Sequence, residues 1–496
     1  MKISILLSIS FLTASFFSYG QKPWILETNK QWDSALIKQK GVSLDEGEIR
    51  LQSKSGQATV RTPSFKKKRS VSSLLLRQST SWQNWDAVPQ VGPSNLQDAP
   101  VFLVKGPQDY WLFGRYGKIN KQGKKFIAQD ATLPGFDIPL KTTPHPNQFN
   151  APGGLKGSLG GYNAWQSRDM INWVHHGSVT PAFARWTTTA EQVGGKTYIY
   201  YDFPNDQDPH LFIDEDLTDG LPGKNMGMAF ADPSHGSDCA VIRDLNGKFH
   251  IIYEDYSPIN AGKHSWDSPL AGHSVSPNGM YPFKILQPAV DHRTKPTGKI
   301  GTYRHPHWTK EDPKRFPSNV AEYEIHEPVQ NAYGDWAAIC IGGQYYLFGD
   351  YHPAHQKIRT AWFTSSNINK PFEFCGEIGQ GHPDPDIGFA EGKFYLITQT
   401  ANDYVSTGPW VEKVESRVGV DTTNDGIADK WSKWSVMKES YDHIEGFSKQ
   451  IQKTPARSDL SNLAAGFGFQ VEIKMTDVTS NASKPLLESL ELSFHK

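Results

Sequence analysis

The sequence predicts an all-β protein: a five-bladed β-propeller with an accessory β-sandwich built from the N- and C-terminal segments. Three observations predict it. One short phrase recurs along the chain: an acid, a glycine eight or nine residues later, then an aromatic strand. Aromatics make up 12% of the chain beside 43 Gly and 33 Pro, which favours short strands and many turns over long helices. Both ends carry alternating segments of a different texture from this phrase.

The phrase is clearest at Asp384, eight positions before Gly392, with Phe394 to Ile397 following. Asp98 precedes Gly106 by eight and leads into Tyr110 to Phe113. Asp238 precedes Gly247 by nine, and Phe249 to Tyr253 follow. Asp335 precedes Gly343 by eight, and Tyr345 to Phe348 follow. A fifth copy puts Trp186 in place of the acid, eight before Gly194, and runs into Tyr198 to Tyr201. Each copy reads as a hairpin whose glycine supplies the positive φ of the turn. Hairpins repeated every ~50–100 residues mark a radial repeat.

In chain order, residues 1–20 read as a signal peptide: Lys2, an apolar run from Ile3 to Phe17, then Ser18 to Gly20. Cleavage is expected before Gln21, and the protein is expected in the periplasm or the medium. No later run is long and apolar enough for a membrane helix, so no membrane insertion is expected. Residues 21–97 and 435–496 are expected to share one discontinuous sandwich. Gly47 to Gln52, Gln57 to Arg61, Ser73 to Arg77, Gly468 to Lys474 and Leu486 to Phe494 all alternate as strands do, and neither end alone buries a core. Residues 98–434 are expected to form the propeller, the fifth blade running from His382 to about Trp434. Long inserts at 142–161 and 287–333 interrupt it, and loops of that length are often functional.

A net charge of −1 makes no electrostatic case for nucleic acid or a membrane surface, and the basic run Lys66 to Arg69 reads as a solvated hairpin tip. Cys239, Cys340 and Cys375 are few for an exported chain, so disulfides are not its main staple. Asp421, Asp425 and Asp429 surround a glycine turn, as in Asp-rich loops that hold a structural Ca²⁺; the competing reading is an Asx-turn that ties the loop down. No cofactor is expected for the chemistry.

In a radial repeat the heads of the innermost strands meet at one mouth. That places Asp98, Trp186, Asp238, Asp335 and Asp384 around a single funnel. Gathering like charges is costly unless something uses them, and glycoside hydrolysis needs such a set. Any single aspartate there could instead cap a turn.

The phrases Asp98 to Phe102, Arg185 to Val193, Ser237 to Lys248 and His382 to Ile387 resemble the five-bladed glycoside hydrolases of family 43 and its relative, family 117. So do the outer-strand pieces Ala164 to Trp173 and Ala361 to Ser365. The resemblance covers roughly residues 98–434. It implies a water-activating base at Asp98, a pKa-tuning acid at Asp238 and a proton donor at Asp335, with inversion at the sugar carbon. The family keeps Glu at the donor position, so Glu191, Glu327, His326 and His382 are alternative donors. Trp186, Arg115, His145 and Asp384 are expected to bind substrate, an oligosaccharide of algal or plant origin such as one containing anhydro-galactose or pentose. The inserts should wall off part of the funnel and favour exo action. Two other classes remain open: a polysaccharide lyase using His, Tyr and Arg on a uronate, or a propeller that binds carbohydrate without cleaving it.

Overall fold

The computed structural model describes residues 22–495 apart from 79–84, 118–125, 155–159, 185, 204–207, 232–236, 256–269, 292, 296–331, 353–356, 382, 409–412 and 477–485. The described chain is almost entirely β. Its short helix, Asn29–Ala35, begins at a capping box in which Thr28 and Gln31 satisfy each other's backbone N–H groups.

Five sheets follow one another along the chain. The first starts with Leu96–Gly106, continues through Asp109–Tyr116, Tyr162–Ser167 and Trp173–Ser178, and adds three outer strands between Asp130 and Asn150. The second holds Trp186–Val193, Lys196–Asp202, Pro209–Asp214 and Lys224–Met228. The third holds Ala240–Arg243, Phe249–Glu254, Ala271–Ser276 and Lys284–Ile285. The fourth runs Ala332–Ile341, Gln344–His352, Arg359–Ser365 and Glu373–Ile378. The fifth pairs Asp386–Ala390, Lys393–Ile397 and Asn402–Ser406. The first strand of each sheet lies beside those of its two neighbours, and the fifth returns to the first.

Side-chain alternation builds the packing between these sheets. Val101 and Leu103 point toward the second sheet and pack with Ala190, Ile199 and Tyr201. Phe102 and Val104 point the other way and pack with Tyr395 and Ile397 of the fifth. An inner strand buried on both faces is therefore apolar at every position, rather than at every other one. The same wedge filling occurs between second and third, third and fourth, and fourth and fifth sheets.

Two six-stranded sheets from the chain ends pack against one shared core, with Ile49, Leu74, Leu76 and Leu490 from one and Val60, Val418, Val471 and Ile473 from the other. Leu486–Phe494 pairs antiparallel with Val71–Gln78, and Gly468–Thr476 with Ser55–Arg61. Three stretches fall differently from the expected division. Asp86–Pro89, expected in the end sheets, is the outer strand of the fifth ring sheet, paired with Asn402–Ser406. Lys413–Asp421, expected in the fifth blade, is an end-sheet strand beside Gly468–Thr476. Ser440–His443 and Gln450–Thr454, expected in the sandwich, extend the fourth ring sheet, the latter in parallel beside Ala332–Ile341. Alternation in a strand reports that it has a buried face; which sheet edge offers the matching partner is a long-range matter. The insert at 142–161 is also not all loop: Gln148–Asn150 within it pairs with Phe136–Thr142, the strand that leads into it.

Cys239, Cys340 and Cys375 are free, the first two buried. The basic run sets its charged heads over rings, with the Arg69 guanidinium 4.1 Å from the centre of Phe65 and the Lys68 ammonium 5.3 Å from that of Phe467.

Candidate active site

The four aspartates of the repeated phrase share one backbone state. Asp98, Asp238, Asp335 and Asp384 have φ of 71°, 47°, 49° and 36°, all in the left-handed region. Asp tolerates that region better than most side chains, yet such a residue stores roughly 1–3 kcal/mol that the surroundings must hold. At Asp98 and Asp335 a break in strand register coincides, between Gln97 and Val101 and between Gly334 and Ala337. A bulge of this kind turns a side chain out of the pleat, here toward the axis.

What holds the strained residues is a second set of acids. The Asp238 N–H donates to Asp202 Oδ2 at 2.8 Å, the Asp335 N–H to Glu254 Oε1 at 3.2 Å, and the Asp384 N–H to Asp350 Oδ1 at 2.9 Å. Asp202 and Glu254 end the second strand of the preceding sheet, and Asp350 lies two residues before the end of its own. Asp98 differs: its Oδ2 meets Arg115 Nε of its own sheet at 2.6 Å, and the Tyr162 hydroxyl lies beside it. Sequence reasoning missed Asp202, Glu254, Asp350 and Tyr162. Asp202 and Glu254 directly follow their copies' aromatic runs and Asp350 follows its own after Gly349, a position that marks them without showing what they bond.

The acids act on one another. Asp335 is partly buried as a residue, but its carboxyl is enclosed. Burial first, then Asp238, Asp384, Asp350 and Glu254, push that carboxyl well above the usual range. Burial and then Asp238 do the same to Asp202. Oxygens of Asp335, Asp350 and Asp384 lie within 4.8 Å of one another. Asp98 is raised by burial, with the Arg115 charge opposing that rise and Asp384 adding to it. Among the described residues, Arg115 is the cation this acid set meets.

Trp186 opens the second sheet, opposite Asp202 in register, and is 37% exposed. His145 lies in the outer part of the first sheet, with Nδ1 2.9 Å from Ser94 Oγ; no hydrogen bond joins it to the acids. Glu191 is removed from the set of proton donors. It is fully buried partway along its strand, where Oε1 accepts the N–H groups of Gln192 and Ser448 at 2.9 Å each. Glu327, His326 and His382 lie outside the described residues.

The Asp421 loop does not form a carboxylate cage. Asp421 accepts N–H groups from Thr423, Asn424, Asp425 and Gly426, and Asp429 accepts the N–H and hydroxyl of Thr422. Asp425 accepts the Ile427 N–H. Among the described residues the trio whose oxygens converge within 4.8 Å is the one at the mouth, not Asp421, Asp425 and Asp429. Backbone donors reach both Asp421 oxygens, the pattern of an Asx-turn.

No family model matches this chain, and no curated protein does. Among solved structures the chain is similar to a thermostable family-43 glycoside hydrolase, at 12% identity and a TM-score of 0.37 over 71% of this chain and 96% of that one. It is also similar to an α-L-arabinofuranosidase from Clostridium thermocellum ATCC 27405, at 11% identity and 0.35 over 72% and 94%. A third is the endo-arabinase from Bacteroides thetaiotaomicron VPI-5482, at 10% and 0.38 over 65% and 96%. Likeness at this level leaves the chemistry to be argued from the site.

Proposed function

We propose that the chain is an exported glycoside hydrolase, a five-bladed propeller with a β-sandwich, acting by inversion on the ends of algal or plant oligosaccharides. One observation carries the reading: Asp335, whose carboxyl burial and then Asp238 push above its usual range, shares a mouth with Asp98, whose carboxylate is offset by Arg115. Hydrolysis with inversion asks for that pair. Asp98 takes a proton from water as the water attacks the anomeric carbon, and Asp335 gives its proton to the departing oxygen. Asp238, after burial the largest cause raising Asp335, favours the protonated form that a donor needs. The exposed ring of Trp186 offers a flat apolar face to a sugar's C–H side. In an inverting pair the two carboxyls stand ~6.5–9.5 Å apart to admit the water.

The charge of the mouth weighs against the lyase alternative. A uronate would enter among Asp98, Asp238, Asp335 and Asp384 with, among the described residues, Arg115 to receive it, and Arg115 is already engaged. Lys2 and the apolar run after it support export to the periplasm or the medium.

The test is product analysis by mass on agar, carrageenan, ulvan and arabinoxylan oligosaccharides. Release of single sugars with a mass gain of water is expected, and an unsaturated product absorbing in the near ultraviolet would overturn the reading in favour of a lyase. Asp335→Asn should lose activity on natural glycosides by ~10²–10⁴-fold and keep more of it on aryl glycosides, whose leaving group needs no proton.

A further inference from the structure

Residues 446–450 enter the ring and touch all five sheets. The Ser448 N–H donates to Glu191 of the second sheet at 2.9 Å. Arg243 of the third donates to the Gly446 carbonyl at 2.6 Å, covers the Phe447 ring at 4.1 Å, and its own carbonyl accepts from Gln450 at 2.7 Å. The Cys340 N–H of the fourth donates to the Lys449 carbonyl at 2.8 Å. Lys449 then joins the fifth sheet to the first. Its ammonium reaches Asp386 Oδ1 at 2.7 Å, the Ile387 carbonyl at 2.7 Å and the Phe102 carbonyl at 3.0 Å.

Lysine has three ammonium protons, and all three are used. Lys449 is 1% exposed and Asp386 3%. Asp386 is filled as well: Oδ2 accepts the Phe102 N–H at 2.7 Å and Oδ1 the Ile387 N–H at 2.7 Å. A buried pair satisfied this completely adds little net stability over an apolar pair, but it admits one geometry. Its place gives that geometry a consequence. Phe102 lies four residues after Asp98 on one inner strand, and Asp386 two residues after Asp384 on the neighbouring one. Asp98 and Asp384 act on each other across the same seam.

We propose that Lys449 is a positioning residue which, by locking Asp386 to Phe102, sets the place of Asp98 relative to Asp384 at the mouth. The consequence for turnover rests on the hydrolase reading above, whereas the placement of Asp98 does not. A displacement of about 1 Å at a catalytic group costs ~10²-fold in rate, so the effect should fall on kcat and leave KM near its wild-type value.

The test replaces both charges at once, Lys449→Met with Asp386→Leu, so that no lone charge stays buried. The Asp98 carboxyl carbon is followed by carbon-13 NMR through a pH titration in wild type and variant, and kcat and KM are measured on the substrate found above. Arg115, Tyr162 and Asp384 face Asp98 and are left in place. The expected result is a folded variant with a moved Asp98 midpoint, a kcat lower by ~10²-fold and a displaced pH–rate profile. A folded variant with the wild-type Asp98 titration, kcat and profile would overturn the proposal. Should the double variant not fold, Lys449→Arg keeps the charge and changes its geometry, and the same titration decides. If the wild type cleaves no glycoside, the hydrolase reading fails alone, and the Asp98 midpoint still decides the role of Lys449.

Discussion

Asp98, Asp238, Asp335 and Asp384 each trade backbone comfort for a side chain aimed at the axis. Because Asn tolerates the left-handed region as well as Asp does, Asp98→Asn separates chemistry from folding. We expect an unchanged thermal midpoint and a ~10²–10⁴-fold loss of turnover, the usual cost of removing a general base. Near-wild-type turnover would place the base elsewhere. A different buried acid governs stability against pH. Glu439 is 2% exposed, and burial, opposed by Lys453, raises its pKa to about 7. A carboxyl raised in the folded state favours folding below its unfolded value and loses that advantage as pH rises through the folded one. Stability should therefore fall between about pH 4.5 and 7, by on the order of 3 kcal/mol from this group. Asp214 and Asp403, each raised to about 6, add in the same direction. Glu439→Gln keeps an acceptor for the Gln78 N–H, which now bonds Oε1 at 2.8 Å, and should flatten the loss in denaturant titrations at pH 5 and pH 8. An equally steep loss in the variant would clear Glu439 of the effect.

At the scale of an element, the loop 421–429 is tied down by one side chain. Asp421, 3% exposed, gathers four consecutive backbone N–H groups at the end of an end-sheet strand. Asp421→Ala strands those donors and should cost about 1–3 kcal/mol, read by chemical denaturation. Chelator and added Ca²⁺ should both leave the melting temperature of the wild type where it is. A rise with Ca²⁺ would restore the cation, since a ligand held only by the folded state stabilises it. The sequence carried both readings of this loop because carboxylates at such spacing serve either purpose. Which one applies depends on where the backbone donors point.

Across the whole molecule, the ring is closed by pieces that lie outside its repeats. Asp86–Pro89 completes the fifth sheet from before the first repeat, and Gln450–Thr454 extends the fourth from after the last. A fragment of residues 98–434, the span over which the repeat is legible, lacks both and also Lys449. We expect it to be insoluble or inactive, while the chain from residue 22 onward folds. Recovery of a folded, active 98–434 fragment would contradict the closure described here. The repeat itself could be read without a structure, because each copy needs the same local things: a glycine for its turn, an aromatic strand to fill the wedge, and an acid at its head. Those are demands of neighbouring residues on one another, and they leave a mark at fixed spacing. The convergence of Asp98, Asp238, Asp335 and Asp384 followed from that spacing alone. The carboxylates of Asp202, Glu254 and Asp350 beneath them, the withdrawal of Glu191 into the ring and the reach of Lys449 to Phe102 did not. They join residues tens to hundreds of positions apart, through contacts whose energy exists only once the sheets have met, so only the tertiary structure could decide them.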